Sequence, residues 1–283
     1  GDGTEPKIPE DDPHFPGWIQ APAHIASNAR DEDEFIRDIY GRYEDMATDR
    51  EREDFLRSTA LRCTTNAKVD DINERIIHTD VLGTAFQDRE SREYFAVNSI
   101  VEQEMRDRFP QEILDAHEQS GLPPNKLLLM VGCPIIMLRN YGVREGVVNG
   151  TRLVITELHD NCVKARILTG LEANWGKEIL IGKVGITPTD NVKFGATFKR
   201  VQFPFRVSFA MTINKSQGLT LRRVGLHLGI PVFSHGQAYV GVSRVGQPEA
   251  MTVFQPGNLR ERVNDPLPIF NKVIQRALLR DDR

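Results

Sequence analysis

The sequence predicts an α/β lobe interrupted by a small β-barrel, and two stretches carry that expectation. In the first, between Arg206 and Val245, a short apolar run over residues 207–211 precedes the polar segment Asn214-Lys215-Ser216-Gln217-Gly218. A second strand pattern follows over 224–228, and then the capping box Ser234-x-x-Gln237 opens a helix that runs through Tyr239 to about Arg244. In the second stretch, residues 127–158, short apolar runs are separated by Gly132, Gly142, Gly146 and Gly150, and Asn149-Gly150 is a strong hairpin signal. Strand, polar turn, strand and capped helix line up polar groups along one edge of an α/β lobe. Several short strands with turn signals between them make a small barrel.

The 283 residues, 40% hydrophobic and 27% charged, supply one large core or two modest ones. A net charge of −4 gives no global electrostatic case for nucleic acid, so any such contact must come from a local basic surface or from a region outside this sequence. Cys63, Cys133 and Cys162 stand far apart with no C-x-x-C pair. Neither a metal site nor a disulfide framework is expected, and a reducing compartment is the default. No apolar stretch approaches the roughly 20 residues of a membrane span. The acidic, Pro-rich N-terminus is unlike a secretory signal, so the glycosylation-type triplets at Asn149 and Asn214 are read as chance.

Residues 1–30 carry little periodicity and read as a linker or an edge segment. Asp31-Glu32-Asp33-Glu34 precedes Phe35, Ile36, Ile39 and Tyr40 at helical spacing. These are acids on a first helical turn, because Ser27-Asn28-Ala29-Arg30 cannot be the buried strand that a magnesium-binding acidic pair follows. ALRCTTNA and VDDINERII read as strand, turn and helix, TAFQDRESRE as a charged loop, and YFAVNSIVE as a strand. Residues 105–121 are irregular with some helical character. Further strands are expected over 163–168, 178–181 and 194–199, then an edge strand in GQPEAMTVF and an amphipathic helix in PIFNKVIQRALL. Arg139 and Arg152 either pair with carboxylates or touch phosphates. Lys199, Arg200 and Arg206 surround Phe203 and Phe205. Basic residues interleaved with aromatics suit single-stranded nucleic acid, and a solvated face is the plain alternative.

INKSQGLTL followed by FSHGQAYVGVSRV resembles motifs V and VI of the PIF family of superfamily-one DNA helicases, especially its Helitron-like branch. Asn66, Val69 and Asn73 match its motif IV, and YFAVNSI matches a family segment with Asn98 where Asp is usual. Leu129, Gly132, Pro134, Leu138, Arg139 and Asn140, then Gly146, Asn149, Gly150, Thr151 and Arg152, resemble its inserted 2B barrel. The likeness spans roughly residues 35–275. Leu219 stands where the branch often has Gln, and Gly241 where the family usually has Ala.

The resemblance implies a RecA-like, P-loop-NTPase-type lobe, a parallel sheet flanked by helices, over 31–93 and 205–283. It implies a 2B domain over 94–204 and, over 1–30, a linker from a first motor lobe. On this expectation the sequence starts in the middle of a helicase and ends at a natural C-terminus. The full protein would use ATP and Mg²⁺ to move 5′→3′ on single-stranded DNA, in repair, recombination, telomere upkeep or transposition, inside the nucleus or mitochondrion of a eukaryote. Arg244 would be the arginine finger, with Gln217 and Gly218 on the nucleotide side. Thr212, Lys215, Arg139, Arg152, Lys199 and Arg200 would contact DNA, and Ser234 and Gln237 would cap a helix. The sequence has no G-x-x-x-x-G-K-[ST] motif, since Gly176-Lys177 and Gly182-Lys183 are followed by Glu and Val. The chain alone is therefore expected not to hydrolyse ATP or hold a nucleotide tightly. The implied partner is a first RecA-like lobe, in cis or in trans. The other reading is an inert remnant that binds DNA or protein.

Overall fold

The computed structural model describes residues 18–20, 25–79, 81–82, 89–119, 121–188, 195–216, 219, 221–230, 232, 237–242, 245, 250–256 and 268–270. In chain order the first elements are β1 (Trp18–Gln20), α1 (Glu32–Tyr40), α2 (Asp49–Ser58), β2 (Thr59–Cys63), α3 (Asn66–His78), β3 (Ser91–Phe95), β4 (Val97–Ile100) and α4 (Gln111–Asp115). Next come β5 (Lys126–Met130), β6 (Pro134–Met137), β7 (Arg152–Leu158), β8 (Cys162–Ile167), β9 (Glu178–Gly182), β10 (Val184–Ile186) and β11 (Phe198–Gln202). The last are β12 (Phe205–Val207), β13 (Ala210–Thr212), β14 (Arg223–His227), α5 (Gln237–Val242), β15 (Met251–Phe254) and β16 (Pro268–Phe270). The chain divides into two compact units, one of residues 1–46, 58–72 and 210–283, the other of 47–57 and 73–209. Relative to the expected boundaries, 47–57, 73–93 and 205–209 group with the barrel strands.

The first unit is built on a four-stranded parallel sheet in the order β13-β2-β14-β15. Every residue of β2 is buried, as a central strand covered on both faces requires. Helix α1 packs on one face with Phe35, Ile36, Ile39 and Tyr40 inward, the spacing read from the sequence. Asp31 caps it by accepting the Glu34 N–H at 2.8 Å, while the Glu34 carboxylate accepts the Arg30 N–H at 2.6 Å. That reciprocal box places the acids at the positive end of the helix dipole. Gly225 of β14 makes room for α1, because a Cβ there would come within 2.9 Å of Phe35 Cζ and closer still to Leu61 and Ile39. A second cluster contains Ile25, Ile213, Leu226, Leu228, Val232, Met251 and Val253, with Val240 of α5 against it. Ile25 and its neighbours belong to this core rather than to a linker: Ala26 bridges Val253, and the Ser27 N–H donates to the Val253 carbonyl at 2.7 Å. Near the chain ends, β1 pairs antiparallel with β16, so residues 268–270 form a strand where a helix was expected.

The second unit is antiparallel throughout. It contains a five-stranded sheet in the order β12-β6-β7-β8-β9, a three-stranded sheet β10-β11-β4 and the pair β3-β5. The Asn149-Gly150 turn closes as expected, with Gly150 at φ 91°, a left-handed value that glycine accepts without strain. The Gly150 N–H reaches the Met137 carbonyl at 2.8 Å, and the Met137 N–H reaches the Thr151 carbonyl at 2.9 Å. At the edge strand β9, the Tyr141 hydroxyl accepts the Gly182 N–H at 3.0 Å. The apolar run over 207–211 is not one strand. Val207 ends β12, which pairs antiparallel with β6, and Ala210 begins β13, which pairs parallel with β2. Ser208 and Phe209 between them are both fully buried, so burial continues without a break where the strand changes partners.

Gly241 is buried inside α5. A Cβ there would meet Leu226 Cδ1 at 3.4 Å and Ile213 Cδ1 at 3.5 Å, ordinary van der Waals contacts. Gly241→Ala should therefore gain about 1 kcal/mol of helix propensity without a clash. Urea unfolding is expected to shift to a higher midpoint at unchanged slope, and a lower midpoint would mean that the space is not available.

Candidate functional site

In open α/β sheets, ligands bind at the carboxyl ends of the parallel strands. Here Thr212, Cys63, His227 and Phe254 lie in register as the last residues of β13, β2, β14 and β15. The segments leaving them are tied together. The Thr64 hydroxyl donates to the Ile230 carbonyl at 3.1 Å, and Gln237 Nε2, at the start of α5, donates to the Thr64 carbonyl at 3.4 Å. Gln237, expected to cap the helix, thereby ties the start of α5 to the residue that follows β2. Ser234 lies outside the described residues.

A charged network borders the same edge. His227 is buried at the end of β14; its Nδ1 accepts the Gly229 N–H at 3.2 Å, so Nε2 carries the proton toward Glu32 Oε1 at 2.9 Å. Lys68 of α3 reaches the same oxygen at 2.5 Å and Asp71 at 2.8 Å. The His227 hydrogen bond, acting against burial and aided by Lys68, lowers the Glu32 carboxyl from 4.5 to about 2. Burial works against the Lys68 ammonium, but its bonds to Asp71 and Glu32 outweigh that and raise its value. The opening acids, read from sequence as helix-start residues only, therefore include one member of a fixed charge cluster.

Thr212 is half-buried, and its hydroxyl accepts the Lys215 N–H at 3.4 Å, shaping the 3-10 turn Ile213–Ser216. Lys215 is half-buried on that turn. Gln217, Gly218 and Arg244 lie outside the described residues, but their neighbours are described. The Leu219 N–H donates to the Ser216 carbonyl at 3.2 Å, and Val245 forms a parallel bridge with Leu221. The chain thus brings the residue after Arg244 beside one three positions beyond Gly218.

In the second unit, Arg139 and Lys199 are exposed, as a phosphate contact requires. Arg152 and Arg200 are not: both are 0% exposed, which corrects the expectation that they touch DNA. Arg152 donates to the Leu56 carbonyl at 2.7 Å and the Ser208 carbonyl at 3.1 Å. Arg200 donates to Asn98 Oδ1 at 2.7 Å and to the carbonyls of Pro123 and His117, each at 2.9 Å. Burial lowers the Arg200 value, and these acceptors hold the charge in place. The aromatic partners expected beside it are core as well, since Phe203 and Phe205 are fully buried and stacked with ring centres 5.3 Å apart. Sequence reading missed Arg62, also 0% exposed, which donates to the Gly241 carbonyl at 2.8 Å and so holds α5 onto β2. The available signal was an arginine inside the short apolar run ALRC.

A family model for the 2B domain of the DNA helicase Pif1 matches residues 112–158, all within the second unit. The chain is 30% identical over 162 residues to the ATP-dependent DNA helicase PIF1 of Danio rerio, a match covering 56% of this chain and 24% of that protein. Over these stretches the chain is similar to PIF1 helicases. The human PIF1 helicase is 33% identical over 150 residues, covering 49% of this chain and 21% of that protein, so the chain matches about a quarter or less of the length of these relatives. The crystal structure of the Pif1 helicase from Candida albicans superposes with a TM-score of 0.50 at 20% identity, covering 81% of this chain and 55% of that one. This likeness bears on the fold alone, and the fold is RecA-like α/β with a 2B domain.

Two predictions follow the geometry. Because the folded value of Glu32 is depressed, its contribution to stability is complete above about 4.5 and is lost as pH falls through about 2. The gap in unfolding free energy between the chain and Glu32→Gln is expected to close across that window, and a gap independent of pH would refute the network. The second concerns Asn98, where Asp is usual in PIF-type sequences. Its Nδ2 donates to Asp115 Oδ1 at 2.8 Å while its oxygen accepts from Arg200. Asn98→Asp should therefore set two carboxylates together and destabilise by about 1–3 kcal/mol, and adding Asp115→Asn should restore the loss. Chemical denaturation of the four members of the cycle measures the coupling.

Proposed function

We propose that this chain supplies the second motor lobe and the 2B domain of an ATP-dependent DNA helicase that moves 5′→3′ on single-stranded DNA. The observation that carries the reading is the interruption of a parallel α/β unit by an antiparallel unit that matches the Pif1 2B domain. The names of the zebrafish and human relatives, both ATP-dependent DNA helicases, agree with it.

ATP hydrolysis in such motors depends on positioning and on electrostatic stabilisation of the transferring phosphoryl group. In this reading Arg244 is the arginine finger, its permanently charged fork matched to phosphate oxygens. Gln217 and Gly218, next in the chain after Ser216, approach the nucleotide. Thr212 and Lys215, on the carboxyl edge of the sheet, and the exposed Arg139 and Lys199 of the second unit meet the DNA backbone. Among the described residues no group of three or more His, Cys, Asp or Glu side chains is placed to hold a metal ion. The phosphate cradle and Mg²⁺ are therefore assigned to a first RecA-like lobe, in cis or in trans. This reading makes it an intracellular protein of DNA repair, recombination or telomere maintenance, in the nucleus or mitochondrion if the source is eukaryotic.

ATP turnover by this chain, with and without single-stranded DNA, is expected to stay at background. Robust magnesium-dependent turnover would overturn this division of labour. With a P-loop lobe supplied, Arg244→Ala should cut turnover by about 10³-fold or more while ATP still binds. Equal turnover by the variant would remove Arg244 from the mechanism.

A further inference from the structure

We propose that the outer face of the three-stranded sheet β10-β11-β4 is a base-stacking platform for single-stranded nucleic acid. The inference rests on the DNA-acting reading above and gives it a specific surface. The sheet separates its side chains cleanly. Asn98, Ile100, Ile186, Phe198, Arg200 and Gln202 point inward and are buried. Val97, Ser99, Gly185, Lys199 and Val201 occupy the alternate, outward positions. The pairing register aligns Gly185, Val201 and Val97 in one row across the three strands and sets Lys199 opposite Ser99.

Two features make this face unlike an ordinary solvated one. The first is its apolar content. Phe95, just ahead of β4, is 56% exposed, Val97 is 63% exposed and Val101, just beyond it, is 47% exposed. The second is its charge. The Lys183 ammonium is fixed by donation to the Phe95 carbonyl at 3.0 Å and stands 5.7 Å from the ring centres of Tyr94 and Phe203. The Lys199 stem lies flat across Gly185, where a Cβ would come within 2.6 Å of its Cε, so the glycine is the slot that carries the lysine. None of the outward positions on these strands is a carboxylate, although the chain as a whole has a net charge of −4.

The exposed phenyl ring at the end of β3, the exposed valines of β4 and its border, and the ammonium groups of Lys183 and Lys199 fit a strand whose bases are unstacked and whose phosphates run alongside. Duplex DNA keeps its base faces covered, and an apolar peptide has no use for the lysines. DNA and RNA single strands share the required chemistry.

The test is fluorescence anisotropy of a labelled oligo-dT with this chain across a salt series, alongside oligo-U and a duplex of the same length. Phe95→Ala should weaken single-strand binding about fivefold to a hundredfold at unchanged salt slope, because stacking releases no counterions. Lys199→Gln should weaken binding and lower the slope by about one. Both side chains are exposed, and unchanged melting will show that the variants fold; Val97→Glu, which adds repulsion at a third position, should weaken binding as well. Tighter binding of either single strand than of the duplex supports the platform. Duplex binding as tight as single-strand binding overturns it. If Lys215→Ala weakens binding while the Phe95, Val97 and Lys199 variants do not, the platform is wrong and the helicase reading stands without its Lys199 contact. If the unmodified chain binds no single strand at any salt, both fall.

Discussion

A guanidinium removed from water needs fixed acceptors, and among the described residues three fully buried arginines find backbone carbonyls in the same way. Arg62, Arg152 and Arg200 are each 0% exposed, and each points at carbonyls where a helix ends. Arg62 reaches Gly241 in the last turn of α5, Arg152 reaches Leu56 in the last turn of α2, and Arg200 reaches His117 just beyond α4. The last carbonyls of a helix lack partners and carry the negative end of its dipole, so a buried cation and an open helix end satisfy each other. Helices α4 and α5 span only 5 and 6 residues, too short to stand alone in water. An arginine from a neighbouring strand anchors each of them.

The same arrangement explains how the parallel unit presents its carboxyl edge. β2 sits at the centre with both faces covered, and its side chains and carbonyls fasten α5 at either end, through Thr64 to Gln237 and through Arg62 to Gly241. Sequence positions far apart, the turn after β13 and the residues after α5, converge where Val245 bridges Leu221. The Glu32, His227 and Lys68 cluster closes the border of that edge with charge already neutralised internally. Glu32 and Lys68 serve each other, whereas Lys215 lies on a turn whose shape is set by Thr212.

Much of this was legible in the chain itself. The periodicity of Phe35, Ile36, Ile39 and Tyr40 gave α1, the Asn149-Gly150 pair gave its turn, and the motif order gave the α/β lobe with an insertion. The errors share a cause. Burial of a polar residue is a tertiary fact, and a one-dimensional pattern reads Arg152, Arg200 and the aromatics around them as a basic surface. Alternation along β11 sends Lys199 outward and Arg200 inward, but that phase is fixed only by pairing with β4 and β10. The run over 207–211 misled for a related reason, because a strand that changes sheets leaves no mark in hydrophobicity. Arg62 and Phe95 went unnoticed because the segments around them were read through other residues, Asn66 in the first and Asn98 in the second.

The phenol of Tyr141 over the Gly182 amide has a colloidal meaning. β9 is the outermost strand of its sheet, the position at which a foreign strand would add itself. A hydroxyl seated on one of the outward amides removes a rung from that template, and the ring that carries it stands in the path of an incoming backbone. That edge is apolar, with Leu180 exposed beside it, so the blocked amide works against the sheet-to-sheet pairing such a strand would otherwise invite.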